Sequence, residues 1–113
     1  MQIKKMYQNI KPELLFDELK DLIVKQGATV AESKMETYSL PDDSSSFISR
    51  GTLTFKVPGE PDKKCIKGYI VGSARSETKL MLDIDESFFP QDKVVSFQED
   101  LDFLLGSYEI KPG

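Results

Sequence analysis

The sequence predicts an α+β fold: a mostly antiparallel, curved sheet of four or five strands with two helices packed on one face, in the order β-α-β-β-β-β-α. Three observations predict it. Residues 47–57 and 78–85 alternate, with Leu53, Phe55 and Val57 set against Arg50, Thr52, Thr54 and Lys56, and Leu80, Leu82 and Ile84 against Lys79, Met81 and Asp83. A period of two marks strands with one face buried and one wet. Pro12 opens a stretch in which Leu15, Leu19, Leu22 and Ile23 recur at helical spacing, and Val94, Phe97, Leu101, Leu104 and Tyr108 repeat at intervals of three and four near the other end. A run of strands bracketed by helices favours an α+β arrangement over an α/β one.

Taken in order, residues 2–7 read as a short strand, and Asn9–Lys11 as the bend into a helix. Pro12 suits the first helical position, because its missing N–H has no partner there in any helix. Glu13 and Lys25 complement the two ends of the helix dipole, and Gly27 is placed to stop a helix of residues 12–26. Residues 29–40 follow as a strand in which neither face is strongly apolar, so an edge position is expected. Pro41-Asp42-Asp43-Ser44-Ser45-Ser46 reads as a solvated connection. The meander then runs through residues 47–57, 64–73 and 78–85, with turns at Pro58-Gly59-Glu60-Pro61-Asp62 and Ser73-Ala74-Arg75-Ser76-Glu77. The last helix has two starts on offer: Ser96 with Glu99 as a capping box, or the neighbourhood of Pro90 and Gln91. Either start turns Phe97, Leu101, Leu104 and Leu105 to the core.

With 113 residues the chain forms one domain. Its net charge of −4 argues against general affinity for a phosphate backbone, so no nucleic acid is expected as partner. No apolar run approaches the roughly 20 residues that span a bilayer, and the first residues lack the core of a signal peptide. The single cysteine, Cys65, cannot form an internal disulfide, and the expected location is cytoplasmic. There is no histidine, which removes the usual Ser-His-Asp and Cys-His pairs and most zinc or iron sites.

Few constellations suggest chemistry. Asp83, Asp85 and Glu86 are the densest acidic group, but they lack the central glycine of a calcium loop and read as a solvated strand end. Arg50, Lys56, Lys63, Lys64 and Lys67 could share the outer face of the meander with Tyr69, and one tyrosine is too little for a base-stacking platform. Gly51, Gly68 and Gly72 interrupt strands, either for a closely packed helix or for a ligand lying on bare backbone. Cys65 reads as a small apolar filler. No catalytic, cofactor-binding or metal-binding residue is assigned, and no cofactor is expected.

Residues 2–22 carry a resemblance. Pro12, Glu13, Leu15, Phe16, Leu19 and Asp21, after the short strand at 2–7, are similar to the opening of the SRPBCC, START-like helix-grip superfamily. The resemblance implies a curved antiparallel sheet gripping the C-terminal helix over a cavity for an apolar ligand, and it carries over no functional residue. The expected function is a non-enzymatic binding module for an apolar small molecule or lipid. The alternative is a protein-interaction or self-association module, monomer or homodimer, suggested by Ile48, Tyr69, Val71 and Met81 on the outer parity. An enzyme comes last.

Overall fold

The computed structural model describes residues 1–40, 43–73 and 77–110, with residues 40 and 43–46 given by backbone alone. Its elements are β1 (Gln2–Tyr7), α1 (Pro12–Lys25), β2 (Thr29–Leu40), β3 (Asp43–Val57), β4 (Glu60–Gly72), β5 (Thr78–Ile84), α2 (Gln91–Leu105) and a short 3-10 turn (Gly106–Tyr108). All strand pairs are antiparallel, in the spatial order β1-β5-β4-β3-β2. The α+β order expected from the sequence is therefore the order observed, with both helices on one face.

Register shows how the faces are built. On the helix side, cross-strand rows run Lys5–Leu80–Ile70–Gly51–Met35 and Ile3–Leu82–Gly68–Leu53–Ser33. Leu53, Phe55, Leu80 and Leu82 are buried there with Leu15, Leu19 and Ile23 of α1 and Val94, Phe97 and Leu101 of α2. The helices are tied to each other by Lys25 to Asp100 and by Gln26 Nε2, which donates to Ser96 Oγ.

Gly51 and Gly68 serve this packing, whereas a Cβ on Gly72 would collide with Thr78 of the adjacent strand. A Cβ built on Gly51 would lie 2.6 Å from the Phe16 ring, and one on Gly68 would meet Leu82 at 3.0 Å and Leu19 at 3.8 Å. The furrow is filled by α1, so the reading of these glycines as a bare ligand patch is overturned on the helix side. Their absent side chains let a helix approach the sheet closely.

Other boundaries move for physical reasons. Val57 pairs with Glu60, so the first hairpin turns on Pro58-Gly59 alone, with Gly59 at φ 76, and β4 begins four residues before the expected start. Proline followed by a left-handed glycine needs only two residues to reverse the chain. β3 begins at Asp43, so the expected solvated connection is partly strand; its residues 41–42 lie outside the described residues, as do 74–76 of the second turn. A bulge between Val30 and Glu32 switches the parity of β2. Val30 then shares the helix side with Met35, which is why no single parity looked apolar. α2 starts at Gln91, with Ser96 in its second turn rather than at its cap. Gly27, at φ 99, follows the end of α1 as expected.

Candidate functional site

The helices cover one face, and the other is left open. On the open face, three rows cross the sheet: Glu36–Arg50–Val71–Lys79–Met6, Lys34–Thr52–Tyr69–Met81–Lys4, and Glu32–Thr54–Lys67–Asp83–Gln2. Tyr69 thus lies directly between Thr52 and Met81, and Val71 between Arg50 and Lys79. Side chains directly opposite in adjacent strands touch, so each row is a physical unit. Tyr69, Val71 and Met81 are 40%, 39% and 36% exposed, while Ile48 is half-buried. Tyr69, Val71 and Met81 form an apolar shelf with Met6, while Ile48 lies opposite the exposed Tyr38.

The segment after α2 builds a wall beside that shelf. Gln8 N–H donates to the Tyr108 carbonyl at 2.8 Å, and Ile110 N–H to the Met6 carbonyl at 2.7 Å, while Tyr7 and Glu109 make an antiparallel bridge. Lys5 anchors this arrangement from the helix side. Its Nζ lies 3.2 Å from both Asp102 and Glu109. Burial pulls the Lys5 ammonium pKa down, but the hydrogen bonds and charges of Asp102 and Glu109 outweigh it and leave the group raised. Burial also raises the Tyr7 phenol, reinforced by the charges of Glu109 and Asp102.

The result is an open groove of about 760 Å³ lined by Lys4, Met6, Tyr69, Val71, Lys79, Met81 and Ile110, with Lys5, Leu80 and Glu109. Four cations, Lys4, Arg50, Lys67 and Lys79, stand in the rows crossing β1, β5, β4 and β3, against one anion, Asp83. Among the described residues none of the four makes an ion pair, whereas Lys34 and Glu36 at the β2 edge are 2.6 Å apart. The open face is apolar and positive in a chain whose net charge is negative.

The five basic residues that could share the outer face are only partly brought together here. Arg50 and Lys67 join the groove's surroundings. Lys63 instead pairs with Glu60 and stacks 5.8 Å from the Phe88 ring, and Lys56 faces Lys64 at the far end of the sheet. Sequence reasoning missed Lys4, Met6 and Lys79. Lys79 alternates with the buried residues of its strand and lies opposite Val71 in the β4–β5 hairpin, whereas the pairing of β1 with β5, which brings Lys4 and Met6 alongside, was not visible. Asp83 and Asp85 part company: Asp83 stays on the open face, and the Asp85 carboxylate accepts from the Ser87 N–H and hydroxyl, which hold its pKa low. A second cavity, of about 450 Å³, lies at this end, lined by Lys64, Cys65, Asp83, Asp85 and Glu86 among others. Cys65 is buried, and burial pushes its thiol up.

α2 departs from expectation on its outer side. Leu104, expected in the core, is half-exposed, and Phe103 is 89% exposed. Sequence reasoning followed the stripe through Leu104 and passed over its neighbour. Among the described residues no helix is long and apolar enough to cross a membrane. No family model, curated protein or solved structure matches the chain.

Proposed function

We propose that the protein is a non-enzymatic interaction module whose open sheet face binds a protein partner. One observation carries this. Tyr69, Val71, Met81 and Met6 form a contiguous apolar shelf on the face that a two-layer fold leaves uncovered. Soluble proteins seldom leave such a surface open unless something docks there. The groove is open to solvent, which suits side chains delivered by another polypeptide better than a molecule to be engulfed. Lys4, Arg50, Lys67 and Lys79 would select a partner with negative charge around its apolar anchor. A reducing, cytoplasmic setting suits the one buried thiol.

A second reading is favoured by the groove's size. Its volume of about 760 Å³ lies within the range of small-molecule sites, so an apolar ligand with an anionic end could use the same shelf. A photo-crosslinking residue in place of Met81 separates the two in the expressing cell. Protein adducts at position 81, absent when the same residue replaces the exposed Asp62, support the interaction module. A small-molecule mass shift at 81 supports the second reading. Equal yields at 81 and 62 refute both.

A further inference from the structure

We infer that copies of this chain associate head to tail, with the outer side of α2 of one copy seating Phe103 in the sheet groove of the next. This rests on the sheet face being a protein-binding surface. Asp92, Val95, Glu99, Asp102 and Phe103 lie in one arc of α2, opposite the buried stripe of Val94, Phe97, Leu101 and Leu105. That arc ends in a phenylalanine with almost its whole ring in water. The groove supplies what such a ring lacks: an apolar floor with two methionines, Met6 and Met81, whose flexible thioethers pack well against aromatic rings.

Charge selects the orientation. α1 and α2 together hold eight acidic and three basic side chains. The groove rows across β1, β5, β4 and β3 hold four cations and one anion. Sheet against sheet would bring Lys4, Arg50, Lys67 and Lys79 near their own copies. Helix against helix would oppose acids to acids. Only helix layer against sheet face brings unlike charges together. The two surfaces lie on opposite sides of one molecule, so a copy cannot satisfy its own groove. The contact is heterologous, and it extends into a ring or an open chain of copies.

Sedimentation velocity on wild type, Phe103→Ser and Met81→Glu tests this, with circular dichroism showing that each variant is folded. Val71→Glu replaces Met81→Glu if the latter unfolds. Wild type is expected to grow in mean mass with concentration up to roughly 1 mM, the weak end of specific association. The growth is expected to shrink in about 0.5 M NaCl, where surface charges are screened within a few ångströms. Each variant alone is expected to lose association at least tenfold. Their mixture is decisive: Phe103→Ser keeps a groove and Met81→Glu keeps a phenylalanine, so together they form a 1:1 dimer and nothing larger. A monomeric wild type, variants that associate like wild type, or a mixture that stays monomeric overturns the inference. A monomeric wild type that still shows position-81 adducts to other proteins sinks self-docking and leaves the interaction module standing.

Discussion

Replacing Gly51 by alanine probes a close approach of α1 to the sheet. The new methyl carbon would sit 2.6 and 2.9 Å from two carbons of the Phe16 ring and 3.0 Å from Met35 Cε. Non-bonded carbons rest at about 3.5–4 Å, so the ring has to retreat by about 1 Å. Phe16 is buried beneath α1 and cannot swing into solvent without exposing the core. Overpacking of this kind costs about 1–3 kcal/mol. Losing a glycine returns about 0.4–1 kcal/mol through a less flexible unfolded chain. The net expectation is a loss of about 1–2 kcal/mol, or a fall in Tm of about 4–10 °C for a domain this size. Urea denaturation should show a lower midpoint with an unchanged slope. Phe16→Leu relieves the crowding, so the double variant should cost less than the sum of the singles by about 1 kcal/mol. A neutral or stabilising Gly51→Ala, with no coupling to Phe16, would refute the claim that this glycine exists for helix approach and would reopen the bare-patch reading.

Gly106 is the control: it sits at a helical φ of −59 with open space around it, so Gly106→Ala should raise stability by about 0.4–1 kcal/mol in the same urea assay. Lys5→Met leaves the largely buried Glu109 carboxylate without its cation and should cost about 1–3 kcal/mol by thermal melting. The Lys5 and Tyr7 shifts predict alkaline sensitivity. Both pKa values are raised by folding, so their stabilisation is complete below the ordinary values of 10.5 and 10.0 and is lost as pH climbs through the folded ones. Urea midpoints should fall above about pH 10, with a shallower fall in Lys5→Met. Cys65 should resist thiol reagents in the folded protein and react at once in denaturant, since it is buried and its thiolate is disfavoured.

The fold was legible because it is written in short-range patterns. The alternation of Leu80, Leu82 and Ile84, the stripe of α1 and the stop at Gly27 each report local geometry that packing then reinforced. The bulge in β2 was illegible for the converse reason. One extra residue at Ala31 switches parity, and nothing in the composition of residues 29–40 marks where. The candidate site was half legible. Tyr69, Val71 and Met81 could be assigned to an outer face, with Lys79 on the parity of Met81, but Lys4 and Met6 depend on β1 pairing with β5 across 71 or more residues of chain, which no local pattern encodes. Phe103 was passed over because helical periodicity draws the eye to the buried stripe and away from the exposed residue that breaks the rule.

Strand propensity alone would account for a tyrosine and a valine on an outer face, since such residues suit strands everywhere. It does not account for their distribution. The outer positions of β2 include Glu32, Lys34 and Glu36, two of them ion-paired, as expected of a protected edge, and then Tyr38, which lies opposite Ile48. Apart from the Tyr38–Ile48 pair, the apolar side chains of this face gather on β4, β5 and β1, at the opposite end of the same rows. It is there that the chain after α2 returns to lie along β1, placing Ile110 beside Met6. Glu109 pairs with Lys5, and both border the groove that Ile110 also lines. One network therefore pins the C-terminal wall, the β1 edge and α2 together. The groove's shape is coupled to Lys5, a residue on the other side of the strand from the shelf. Lys5→Met should weaken docking at the groove as well as the fold, whereas Phe103→Ser should change docking and leave stability where it was.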